Sequence, residues 1–222
     1  MKAVCLWSGG KDSCFACYKA GQQGYRIISL LNFMNENGFS LSHGLSGRLI
    51  FNQGKMLDIP LVQKAMPKRT YREEFKNLVS QWKQEKEIEG IIFGDIYLPE
   101  HKDWIDRVCK ELEVKAIMPL WGLDTKKLIR EFIDSGFETI VVTTDAKVLG
   151  PEELGSKIDR NFIERLKPEI DPCGEKGEFH TFVYDGPGFK RAVEFKTGRK
   201  VLRDNHWFLE LKPVYPPEAN GR

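Results

Sequence analysis

Ten residues near the start of the chain, Val4-Cys5-Leu6-Trp7-Ser8-Gly9-Gly10-Lys11-Asp12-Ser13, join an apolar strand, a glycine turn and a helix opening. That junction suits an anion. Amides at a helix N-terminus lack intrahelical partners and lie at the positive end of the helix dipole, so a phosphate is favoured there twice over. Gly9 and Gly10 let the main chain turn with positive φ and approach a ligand without Cβ clashes. Lys11 supplies a mobile positive charge, and Ser8 and Ser13 supply hydroxyl donors. Asp12 repels phosphate unless it caps the helix or holds a metal ion, Mg2+ being the candidate. The spacing fits neither the Walker A pattern nor the dinucleotide fingerprint.

Further candidates lie downstream. Asp95 follows the apolar run Gly90–Gly94. The carboxyl edge of a sheet is where α/β enzymes keep ligand and catalytic groups, and capping a helix from Pro99 or Glu100 is the alternative. His101 and Asp103 read as first-turn helix residues. Glu175 and Glu178 lie three apart among glycines, so both can face one cavity, where paired carboxylates hold a cation, bind ammonium or accept a proton. His180 adds a group that titrates near neutral pH. On spacing alone the same segment is also a charged turn leading into a strand. Cys14 and Cys17 form a lone CxxC with no second pair to complete a zinc site, so they read as small core residues. The polar stretch Asn35 to Gly47 follows the second strand, on the adenine side of such a fold, with Asn32, His43 and Gly44 as candidate contacts. Lys64, Lys68, Arg69, Arg72 and Lys76 read as a solvated helix face.

The elements that must position these residues follow from periodicity. Strands are expected at Lys2–Trp7, Arg26–Phe33, Ile59–Ala65, Gly90–Gly94 and Lys115–Pro119. Helices are expected at Ser13–Gly24, Gln53–Asp58, Tyr71–Glu87 and Glu100–Glu113. The alternation predicts an α/β fold with a doubly wound five-stranded parallel sheet over residues 1–121. A second, smaller α+β domain is expected over 122–222, with a helix at Thr125–Ser135 and strands at Thr139–Thr144, Phe179–Tyr184, Lys190–Lys196 and Val201–Leu211. The tail from Pro213 to Arg222 reads as frayed. The 222 residues are 41% hydrophobic and 30% charged, a globular composition. A formal charge of +2 gives no strong overall field toward nucleic acid or membrane. The five cysteines, an odd number, and the absence of a leader or long apolar segment point to the cytoplasm. Oligomeric state is left open, a homodimer included.

The Ser8–Ser13 loop resembles the pyrophosphate-binding SGGxDS loop of the ATP pyrophosphatases. Gly94-Asp95-Ile96, Trp104, Pro119-Leu120-Trp121 and the run Cys173-Gly174-Glu175-Lys176-Gly177-Glu178-Phe179-His180-Thr181 make the chain similar, over nearly its whole length, to the diphthine ammonia ligase branch. The resemblance implies a HUP-type nucleotide-binding sheet, with ATP on Ser8, Gly9, Gly10, Lys11, Asp12, Ser13 and Gly94. It implies catalytic roles for Lys11, Asp12, Asp95, Glu175 and Glu178, and substrate contacts from Glu175, Gly177, Glu178, His180 and Thr181. Mg2+ would sit near Asp12 or Asp95. The implied reaction adenylates the carboxylate of diphthine on elongation factor 2 and displaces AMP with ammonium-derived ammonia. No N-terminal cysteine nucleophile suited to a glutaminase is present. Lys176 departs from the Gly or Asn usual at its position, which bears on substrate preference. The fused C-terminal domains of some members have no counterpart here, so a minimal, archaeal-like form is expected. Two other readings stand beside this one, a tRNA thiolation enzyme using the same loop and a non-catalytic ATP sensor.

Overall fold

A computed structural model describes residues 1–41, 43–66 and 71–214. Strands β1 (Lys2–Leu6), β2 (Arg26–Met34), β3 (Leu61–Ala65), β4 (Gly90–Ile92) and β5 (Lys115–Ile117) form one parallel sheet in the order β3-β2-β1-β4-β5. Helices α1 (Lys11–Gln22), α2 (Gly47–Leu57), α3 (Tyr71–Lys86) and α4 (Pro99–Leu112) fill the crossovers. Ala3, Val4 and Cys5 are fully buried because helices cover both faces of the central strand. Chain direction across the sheet reverses at β1, so the crevice for a ligand opens beyond the carboxyl ends of β1 and β4.

After β5, the chain forms α5 (Thr125–Asp134), β6 (Glu138–Asp145), α6 (Arg160–Arg165), β7 (Phe179–Asp185), β8 (Phe195–Arg203) and β9 (His206–Pro213). The last four strands make an antiparallel sheet in the order β7-β6-β9-β8. The doubly wound α/β class with a smaller α+β part is therefore the observed fold. The two parts share one hydrophobic cluster. Phe15 of α1 meets Phe132 of α5 edge-on at 5.5 Å, and Phe132 stacks on Phe137 at 4.9 Å. The same cluster runs from Ala3 and Cys5 to Val141, Phe182 and Leu209.

Several element bounds differ from expectation for local reasons. Ser46 accepts a hydrogen bond from the Arg48 amide, so α2 begins six residues before Gln53. The two strands expected at Lys190–Lys196 and Val201–Leu211 form with shifted bounds, as β8 and β9. Residues 190–194 are irregular, and a two-residue turn at Asp204-Asn205, both at positive φ, splits the remainder into the hairpin β8–β9. Pro213 closes β9 opposite Phe195, and the rest of the expected tail beyond Val214 lies outside the described residues. In the expected basic face, Lys64 pairs with Glu74, while Arg72 and Lys76 both pair with Glu111. Lys68 and Arg69 lie outside the described residues. Among the described residues no helix is long and apolar enough to cross a membrane. All five cysteines are free and buried, with Cys14 and Cys17 on the packed side of α1.

Candidate active site

In the loop between β1 and α1 only Gly9 takes the positive φ expected of both glycines, and Gly10 is extended. Gly9 has φ +86°, and Gly10, at φ −91° and ψ 175°, is an N-cap without a side-chain cap. Three amides of the loop and the first turn of α1 are held by hydroxyls. Gly10 donates to Ser8 Oγ (3.3 Å), Lys11 to Thr181 Oγ1 (3.0 Å), and Ser8 to Ser13 Oγ (3.3 Å). Hydroxyls of this kind can exchange for phosphate oxygens. Gly94, just past β4, is a spacer, since a Cβ there would stand 2.8 Å from the Asp12 carbonyl carbon and 2.9 Å from the Ser13 nitrogen.

Lys11 is not the mobile cation expected. Its side chain is only 4% exposed, and its Nζ donates to both Asp12 oxygens (2.8 and 2.9 Å) and to the Cys173 carbonyl. Burial is the largest influence and works against the ammonium, but the Asp12 charge and hydrogen bond together with the nearby Cys173 and Glu175 outweigh it and hold the Lys11 pKa above its usual value. Limited solvent contact pushes the Asp12 carboxyl up, against the pull of Lys11. A single buried amine thus joins the β1–α1 loop to the segment ahead of β7.

Within that segment the two glutamates separate. Glu175 turns into the cavity, where Oε1 accepts from the Ile96 amide at 2.8 Å. Burial pushes its carboxyl up to about 7 against the Ile96 hydrogen bond, and Asp12 adds to the rise. Glu178 turns away. It is 7% exposed, and its oxygens accept from the amides of Asp171 (3.1 Å) and Lys176 (3.0 Å), which braces the loop that presents Glu175. The expectation that both carboxylates face one cavity therefore holds for Glu175 and fails for Glu178. Gly177, at φ +89°, also lies outside the cavity and makes the turn back to Gly174.

The cavity, about 390 Å³, brings together Ser8, Lys11, Asp12, Ser13, Gly94, Asp95, Glu175, His180 and Thr181. It also includes His101, expected as a first-turn helix residue, and His43, a candidate contact on the adenine side. His101 reaches Asp95 Oδ1 with Nδ1 at 2.9 Å, so Asp95 pairs with a side chain rather than capping α4. His43 stacks on His180 with ring centroids 4.8 Å apart, and its Nδ1 lies 2.9 Å from the Thr181 carbonyl. A carbonyl only accepts, so Nδ1 carries the proton. Burial lowers the His43 pKa to about 4, leaving a neutral imidazole. Asn32 reaches the cavity wall but spends its amide on the Trp7 carbonyl; Gly44 packs beneath Phe208 instead. Among the described residues no group of three or more His, Cys, Asp or Glu is placed to hold a metal ion by itself.

This geometry coincides with two known domain patterns. Residues 1–116 match the diphthamide synthase N-terminal domain and residues 124–214 the diphthamide synthase C-terminal domain. The chain belongs to the diphthamide synthase family. Among relatives in the family, the diphthine–ammonia ligase of Rattus norvegicus is 28% identical over 237 residues, covering 95% of this chain and 89% of the relative. That of Schizosaccharomyces pombe is 27% identical over 87% of this chain, which spans 36% of the longer relative. A solved structure described as a predicted subunit of tRNA methyltransferase from Methanocaldococcus jannaschii aligns over 87% of this chain and all of its own. Its TM-score is 0.48 at 17% identity. The diphthamide synthase segments join between residues 116 and 124, just after β5.

Proposed function

We propose that the chain is an ATP-dependent amide ligase that converts diphthine on elongation factor 2 to diphthamide, releasing AMP and pyrophosphate. The observation that supports this most is the Lys11 bridge, which holds the phosphate loop and the Glu175 segment around one cavity. The diphthine carboxylate attacks the α-phosphorus of ATP, and the bond to the bridging oxygen breaks to release pyrophosphate. The α1 amides and the Lys11 ammonium stabilise the charge on that leaving group. Ammonia then attacks the acyl carbon, the bond to AMP breaks, and the proton shed by nitrogen passes to the Glu175 carboxylate. A carboxyl pushed up to about 7 suits that transfer, since a base poised near the working pH exchanges protons most readily. Mg2+, when bound on the nucleotide, would neutralise phosphate charge. Such an ion needs only one or two protein carboxylates, and Asp12 and Asp95 both line the cavity. Glu178 and Gly177 act by shaping the loop, and the cytoplasm is the compartment where such a protein substrate is met.

The decisive experiment incubates the protein with diphthine-bearing elongation factor 2, ATP and ammonium. The expected result is a mass change at the modified histidine, with one AMP and one pyrophosphate formed per amide. ATP cleavage without that mass change would redirect the reading to another acceptor, and no cleavage under any condition would leave an ATP-binding module.

A further inference from the structure

We infer that Gln53 is a positioning residue for the phosphate loop, its carboxamide fixing the Gly9 peptide so that the loop can grip departing pyrophosphate. Gln53 lies within α2, is fully buried, and uses its principal hydrogen-bonding capacity on three residues, two in the β1–α1 loop and one in β7. Its Nε2 donates to the Gly9 carbonyl (2.9 Å) and to the Val183 carbonyl of β7 (2.6 Å). Its Oε1 accepts from Trp7 Nε1 at the end of β1 (2.9 Å). The Gly9 carbonyl also receives the Val183 amide at 3.1 Å, so two donors hold it from behind.

Peptide planarity turns that hold into an orientation. In a trans peptide the carbonyl and the following N–H point in opposite directions. Fixing the Gly9 carbonyl toward Gln53 and Val183 therefore aims the Gly10 N–H the other way, toward cavity-lining Ser8. The loop needs this constraint because Gly9, at φ +86°, can otherwise visit many conformations. Shape supports the pairing, since a Cβ on Gly9 would lie 2.9 Å from Gln53 Oε1. Two donors and one acceptor on one short planar group describe a carboxamide, and neither Glu nor Met supplies them.

The inference rests on the ATP-cleaving reading above, and its test separates the two. Calorimetry would measure binding of Mg2+-pyrophosphate and, separately, AMP, which lacks the phosphates the loop is argued to hold. Wild-type protein, Gln53→Met and the shorter carboxamide Gln53→Asn are compared. Val79→Ala, buried in the separate cluster under α3, serves as a destabilised control. Both Gln53 variants are expected to lose about tenfold or more in pyrophosphate affinity while AMP binding changes by less than about twofold. Val79→Ala is expected to lower the melting temperature without that selectivity. Equal loss of both ligands, or unchanged pyrophosphate affinity, overturns the role of Gln53. A wild-type protein that binds AMP but not pyrophosphate overturns the loop reading and the inference with it.

Discussion

At the scale of single residues, Glu175 and Gly10 have the clearest consequences. The Glu175 carboxyl titrates near 7 in the fold because burial disfavours its charge. Its neutral form is favoured in the folded state, so its contribution to stability is intact below the ordinary value of 4.5 and is lost as pH rises through about 7. Glu175→Gln stays neutral at every pH. The variant should therefore melt like the parent near pH 4 and above it at pH 8, by on the order of 1–2 kcal/mol after discounting for partial exposure. Its amidation rate at fixed free ammonia should fall about 10²- to 10⁴-fold and lose the rising limb near pH 7. Absence of that limb in the wild type would remove Glu175 as the base. At Gly10, a Cβ would stand 2.1 Å from His43 Cε1 and 3.1 Å from the Thr181 carbonyl oxygen. Gly10→Ala should cost about 1–3 kcal/mol of stability and weaken nucleotide binding about tenfold or more. Much of this loss should disappear in a His43→Ala background, where the ring that meets the methyl is gone. Additive effects in a double-mutant cycle would show that the two positions do not collide.

At the scale of elements, helix and strand ends set the site. Polar cavity groups come from the start of α1, the end of β2 and the segment after it, the segment after β4, the first turn of α4, and Glu175 with His180 and Thr181 at the start of β7, while apolar strand residues supply the buried platform. The register of β7 matters most, since Thr181 caps the Lys11 amide while Val183, two residues on and on the same strand face, donates to the Gly9 carbonyl. The β8–β9 hairpin is set by its turn, where Asp204 and Asn205 have φ +46° and +62°. Asn tolerates this conformation and a β-branched residue does not. Asn205→Val should lower stability by about 1–3 kcal/mol, read as a shift in urea midpoint, whereas Asn205→Gly should leave it near the parent value or above. A Val variant as stable as the parent would mean that the turn does not fix the hairpin.

At the scale of the whole molecule, the two sheets depend on one core. The face of α1 that holds Phe15 is covered by Phe132 and Phe137, so the parallel-sheet and antiparallel-sheet parts bury one another's apolar surface. Phe132→Ala should destabilise by about 3–5 kcal/mol. Probes in both parts, such as Trp82 of α3 and Trp207 of β9, should then report a single shared transition at lower temperature. Separate transitions for the two tryptophans would contradict a common core.

The parallel sheet was legible in the sequence, because buried strands and amphipathic helices alternate with different periods, and so was the glycine turn between a strand and a helix that is proposed to hold phosphate. It also offered Asp95, from its place past a strand, and Glu175, from the family motif, as candidates, and both line the cavity. Tertiary structure alone decided how the remaining polar groups divide their work. Glu175 and Glu178 have the same side chain three positions apart, yet one meets the cavity and the other braces backbone amides, since the path of the loop sets their directions. Gln53 sits inside an amphipathic helix with no local pattern to mark it. Its role arises from partners 44, 46 and 130 positions away. His43 and His180 lie far apart in the chain and become one stacked, neutral pair only because the segment after β2 folds over β7. Periodicity and motif record interactions with near neighbours, whereas a hydrogen bond between distant segments exists only once the chain has closed on itself.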